Sequence, residues 1–101
     1  MILVLQRYFA KPGMAERVLT TRRAADDALR ELGVPVGQTF VPAVPTHGGP
    51  DVVWQCIYET MEARRAVEAV LDASAAFAAI RAEQSRHIAR FEREYFVADA
   101  P

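Results

Sequence analysis

The stretch Val52–Glu59, VVWQCIYE, carries large apolar groups on both of its parities. In an extended strand Val52, Trp54, Cys56 and Tyr58 point one way, and Val53, Gln55, Ile57 and Glu59 the other. A strand with one wet face alternates apolar and polar residues. This one does not, so the fold must cover it from two sides. The chain has 101 residues, which predicts a single domain over 1–101 with a modest core of its own.

The rest of the chain supplies one of those covers. Ile2 to Phe9 is apolar and rich in β-branched and aromatic residues, the pattern of a strand ended by the Lys11-Pro12-Gly13 turn. From Met14 the period becomes helical. Met14, Val18, Ala25, Leu29 and Leu32 fall near one face, and Arg17, Arg22, Arg23, Asp26 and Arg30 lie largely elsewhere. Gly33 suits the position after a helix end, and Pro35 forbids continuation. Val36 to about Val41 reads as a second strand, placed at a sheet edge by Pro42 and Pro45. A loop, Thr46 to Asp51, leads into VVWQCIYE. Thr60 is an N-cap candidate for a second helix carrying Val67, Val70 and Leu71. Asp72 and Ser74 mark a break, with Ser74 capping a further segment through Phe77, Ile80 and Ile88. Around Arg90 the pattern turns extended again, up to Val97.

The order β-α-β-β-α-β with right-handed crossovers predicts an α+β, ferredoxin-like fold: a four-stranded antiparallel sheet in the order 4-1-3-2, with two helices on one face. Strands 1 and 3, the most apolar, are then central. Helices cover one sheet face only. The other would show a broad apolar patch to water, which soluble monomers rarely tolerate. A second copy packed sheet to sheet covers it, so the expectation is a homodimer.

RYFAKPG after the first strand, CIYETMEARRAV entering the second helix, and SAAFAAI resemble the NIPSNAP-like and related members of the dimeric α/β-barrel superfamily. The resemblance spans nearly the whole chain. By it, Tyr8 matches the strand-1 tyrosine and Arg64 the helix-start arginine. The arginine often found two positions before that tyrosine is Gln6 here. The superfamily includes cofactor-free monooxygenases, polyketide cyclases, isomerases, haem-degrading enzymes and proteins of no known activity. The resemblance therefore implies a fold and a dimeric α/β barrel more than a reaction. In the haem-degrading members a strand-1 asparagine, a strand-3 tryptophan and a helix-2 histidine form the site. Those places fall near Arg7, Tyr58 and Arg81, so no haem is expected.

Other chemistries are narrowed by what is present. Twelve basic and 13 acidic residues give a net charge of −1, which argues against a nucleic-acid surface. No apolar run suits a signal peptide or a membrane span, and the lone Cys56 reads as a buried, inert thiol, so a cytoplasmic setting is expected. His47 and His87 belong to no ligand cluster, and no metal is expected. Glu83 and His87 read as a solvent-facing i,i+4 pair. No cofactor motif is present. Gln6, Tyr8 and Gln55 are assigned one parity with Val4, Val53 and Ile57, and Leu3, Leu5, Val52, Trp54 and Cys56 are assigned to the helix-covered core. The Gln/Tyr set then lines a cleft for a small, largely apolar ligand. With the faces reversed, Arg7, Trp54 and Tyr58 line it instead. The two function classes are a cofactor-independent monooxygenase, cyclase or isomerase acting on aromatic or polyketide-like substrates, and a non-catalytic NIPSNAP-like or stress-associated binding protein.

Overall fold

The computed structural model describes residues 1–100. The elements are β1 (Ile2–Ala10), α1 (Ala15–Leu32), β2 (Gln38–Phe40), β3 (Val52–Tyr58), α2 (Met61–Asp72), α3 (Ala75–His87) and β4 (Ile88–Val97). One antiparallel sheet has the order β2-β3-β1-β4, the ferredoxin-like arrangement read from the sequence. The second helical region is two helices, not one. Ser74 breaks it and caps α3 by accepting from Phe77 N at 3.1 Å, as Thr60 caps α2 by accepting from Ala63 N at 3.0 Å. β2 keeps only three residues of the longer strand expected, and β4 begins directly at the end of α3. The prolines explain the first difference: beyond Phe40 the chain meets Pro42 and Pro45, which cannot donate to a ladder.

The β1–β3 register corrects the face assignment. Gln6 pairs with Trp54, Tyr8 with Val52 and Leu5 with Gln55. The helix-covered face therefore carries Ile2, Val4, Gln6 and Tyr8 beside Val52, Trp54, Cys56 and Tyr58, all of them buried. The open face carries Leu3, Leu5, Arg7 and Phe9 beside Val53, Gln55 and Ile57. Parity within each strand is legible in a sequence; the phase between two strands is set by pairing, and a one-residue slip exchanges every side chain. Gln6 and Gln55 consequently lie on opposite faces.

α1 buries Val18, Ala25 and Leu29 against this face, with Thr21 and Arg22 buried among them. α3 packs mainly on α1 rather than on the sheet. Over β4 the helical layer is thin, and Phe91 and Tyr95, on the helix side, stay exposed. No helix is long and apolar enough to cross a membrane among the described residues.

Gly37 holds the approach to β2. Its φ is +70°, and a Cβ there would collide with the Gln55 carbonyl oxygen and lie 2.9 Å from the Trp54 ring. The same ring donates through Nε1 to Val36 O at 3.0 Å. Gly37→Ala combines a left-handed backbone with overpacking against a central strand and is expected to cost about 2–4 kcal/mol. Thermal melting should show this as a fall of roughly 10 °C or more; an unchanged midpoint would rule out the close approach.

Candidate functional site

A cavity of about 220 Å³ lies between the sheet and the helices. Trp54, Tyr58, Leu29, Leu71, Phe77 and Ile80 form its apolar wall, and Gln6, Tyr8, Arg22, Arg64, Gln84 and Arg93 put polar groups into it. It lies where α3 stands off the sheet, and Phe91 and Arg93 of β4 form its exposed rim. The volume is below the roughly 300 Å³ at which sites for drug-sized ligands begin, so it suits a smaller molecule.

A chain of hydrogen bonds crosses the sheet side. Arg93 Nε donates to Gln6 Oε1 at 2.9 Å, which fixes the amide with its nitrogen toward Tyr8. Gln6 Nε2 donates to the Tyr8 hydroxyl oxygen at 2.7 Å, and Arg22 Nη1 donates to the same oxygen at 3.1 Å. Arg22 in turn pairs with Asp26 at 3.0 Å, whose other carboxylate oxygen accepts from Thr39 Oγ1 of β2 at 3.0 Å. The Arg22 guanidinium also stands over the Trp54 ring, 5.0 Å from its centroid. A phenol oxygen that accepts twice from the protein has its single proton left to donate. Tyr8, which lines the cavity, is thus left with one proton to donate.

A second buried pair lies further along the wall. Arg64 Nη1 donates to the Tyr58 hydroxyl at 3.0 Å, and Arg64 Nε is 2.9 Å from Glu68 Oε1 as an ion pair. Burial, aided by the neighbouring Cys56, pushes the Tyr58 phenol up to about 12 against the opposing pull of Arg64. Three buried atoms, Arg22 Nε, Arg64 Nε and Gln84 Oε1, have no hydrogen-bond partner of good geometry in the protein, and of these only Arg64 Nε has a charged neighbour, Glu68. The Gln84 amide nitrogen is already committed to Val18 O at 3.0 Å, so its oxygen cannot turn away by an amide flip without losing that bond.

The cavity brings together two residues from each set weighed in the sequence. Gln6 and Tyr8 line it together with Trp54 and Tyr58. Gln55 and Arg7 do not: both lie on the open face, where Arg7 pairs with Glu94. The pairing of Glu83 with His87 also needs correction. Glu83 is exposed, but His87 is buried where α3 turns into β4, with its Nε2 3.8 Å from Glu83 Oε1 and its carbonyl accepting from Lys11 N at 2.9 Å. Arg22, Gln84 and Arg93 went unrecognised. The placement of Arg22 away from the apolar face of α1 needs correction: it is buried with Val18, Ala25 and Leu29 on one helical stripe, so the arginine interrupts an apolar face. Arg64 does the same with Val67 and Leu71. Arg93 carries no such mark, because an edge strand with alternating charge looks solvated.

The Tyr58 shift has a consequence for alkaline stability. The folded chain holds this proton up to about pH 12, whereas an unfolded tyrosine releases it near its ordinary 10.0. Between these values the unfolded chain binds fewer protons. The contribution to stability is therefore complete below pH 10 and is lost as pH rises toward 12. Urea midpoints measured across that window should fall more steeply for the parent chain than for Tyr58→Phe; parallel slopes would mean that Tyr58 titrates normally.

No family model and no curated protein matches this chain. Solved structures do. An uncharacterized NIPSNAP domain protein from Burkholderia xenovorans superposes with a TM-score of 0.77 at 18% identity, over 99% of this chain and 96% of that one. An antibiotic biosynthesis monooxygenase gives 0.68 at 18%, over 100% and 99%. A dimeric protein of unknown function from Bacteroides fragilis gives 0.70 at 7%, over 94% and 93%. Identities this low speak for the fold alone: the chain has the ferredoxin-like fold of the NIPSNAP domain and monooxygenase structures it resembles, over nearly its entire length.

Proposed function

We propose that this chain works as a cytoplasmic homodimer in which each subunit binds a small, largely apolar, oxygen-bearing molecule in the cavity between sheet and helices. The observation that carries the reading is the Tyr8 hydroxyl, which accepts from Gln6 and Arg22 and has its proton left for a ligand oxygen. Around it the aromatic and aliphatic wall supplies non-specific burial, and a few convergent polar groups set orientation. The cytoplasmic placement rests on the buried free thiol of Cys56.

The reaction class this geometry fits is cofactor-independent monooxygenation, cyclisation or isomerisation of an aromatic or polyketide-like substrate. Each of these develops negative charge on a substrate oxygen. A fixed phenol donor backed by a guanidinium stabilises such an oxyanion without reorganising. The likeness to an antibiotic biosynthesis monooxygenase supports this class. A second reading, non-catalytic binding, is favoured by one feature: no Asp, Glu or His lines the cavity, so the protein brings donors there but no carboxylate or imidazole base.

The dimer rests on the open sheet face. Ile57 is 57% exposed, Phe96 43% and Phe40 39%, beside the half-buried Leu3, Leu5, Phe9 and Val53. These apolar groups come from all four strands and share the face with Gln38, Gln55, Arg90, Glu92 and the Arg7–Glu94 ion pair, a mixed surface whose apolar part an isologous sheet-to-sheet contact removes from water. The dimeric neighbour of the same fold supports it. Light scattering at micromolar concentration should give twice the mass of the chain. Ile57→Lys should give a monomer that is still folded, since the residue is exposed within its own subunit; a parent protein that runs as a monomer would overturn the dimer.

Ligand binding has a built-in reporter, because Trp54 is the sole tryptophan and stands in the cavity wall. Cinnamyl alcohol, a small neutral aromatic with one acceptor oxygen, should change Trp54 fluorescence saturably at one site per chain. Ile80→Trp, read by calorimetry, should fill the cavity and abolish binding while circular dichroism stays native. Equal binding to the filled variant would place the site elsewhere.

A further inference from the structure

The charges around the cavity do not balance. Four of its lining residues are arginines, at positions 22, 64, 81 and 93, and none is acidic. Three of them have carboxylate partners just outside the lining: Arg22 with Asp26 at 3.0 Å, Arg64 with Glu68 at 2.9 Å and Arg81 with Asp72 at 2.8 Å. Arg93 forms no ion pair among the described residues. It is nevertheless held in place. Its Nε is tied to Gln6 Oε1, and its guanidinium lies 5.2 Å from the centroid of the Phe91 ring at the rim. One amide, Gln6, bridges Arg93 to Tyr8, so the unpaired cation and the free phenol proton belong to one end of the cavity. At the same end Arg22 Nε is buried without a partner.

Resting on the reading that the cavity binds a small apolar molecule, we infer that its ligand is a mono-anion: a planar aromatic or conjugated acid whose carboxylate or phenolate oxygen is received by the Tyr8 hydroxyl from within and by the Arg93 guanidinium at the rim. One unpaired cation calls for one negative charge. A charge-assisted hydrogen bond from a phenol held by two donors is stronger than its neutral counterpart. The absence of acidic or imidazole groups from the lining fits the same conclusion. A ligand that arrives already ionised needs no proton taken from it, and a carboxylate on the wall would repel it.

The test compares trans-cinnamate with cinnamyl alcohol, which share a skeleton and differ in charge, on the parent dimer and on Arg93→Gln, with Trp54 fluorescence as the readout. The parent is expected to bind cinnamate at least about tenfold more tightly than the alcohol. Arg93→Gln, at an exposed position whose loss leaves the fold intact, should remove most of that preference while affinity for the alcohol stays within about twofold. Tyr8→Phe should weaken cinnamate as well, with native circular dichroism confirming the fold. An alcohol that binds as tightly as the acid, or an Arg93→Gln protein that keeps the full preference, overturns the anion inference and leaves the cavity reading standing. If neither probe binds the parent, the cavity reading falls and the inference with it.

Discussion

The pairing of β1 with β3 is the constraint from which the rest follows. It sets Gln6 opposite Trp54 and Tyr8 opposite Val52. That single register decides that a glutamine, two tyrosines and the tryptophan meet under the helices, while Leu3, Leu5, Val53 and Ile57 meet on the other side. A shift by one residue would put the polar groups of β1 among the open-face aliphatics and leave Trp54 beside the wrong neighbours. On the other side of β3, the Gly37 approach and the Trp54 bond to Val36 O tie the segment leading into β2 against that strand.

Burying two arginines in a chain of this size is costly, since each cation loses its hydration. The structure offsets the cost locally. Arg22 has Asp26, the Tyr8 oxygen and the Trp54 face; Arg64 has Glu68, the Tyr58 oxygen and the Tyr58 face. The two clusters repeat one motif: a helix arginine donating to a strand tyrosine, with a carboxylate one helical turn further on. Replacing a whole buried ion pair by apolar residues is often stabilising, whereas removing one arginine alone would strand its carboxylate and its tyrosine oxygen. What the arginines add is a polar interior beside an apolar wall, where hydrogen bonds are strong because water is scarce.

The helical layer and the cavity share a cause. Ser74 splits the second helical region, and α3 leans on α1 instead of continuing over the sheet. The helix side of β4 is left thinly covered, with Phe91 and Tyr95 exposed and Arg93 reaching Gln6 across the gap.

The sequence by itself determined the order of elements, the caps at Thr60 and Ser74, the edge position of β2 and the two-sidedness of VVWQCIYE. Each rests on local chemistry: a hydroxyl before a helical stripe, prolines without an N–H, a period of two with no polar phase. It also held a sign of the buried arginines, since Arg22 and Arg64 stand in line with the apolar residues of their helices. Only the tertiary structure decided which strand face met which, and so placed Gln6 with Trp54 and separated it from Gln55. The reason is that alternation repeats every two residues within one strand but says nothing about the phase of the next. That phase, and with it the meeting of Arg93, Gln6, Tyr8 and Arg22 at one end of a cavity, comes from pairing between segments up to 87 residues apart in the chain.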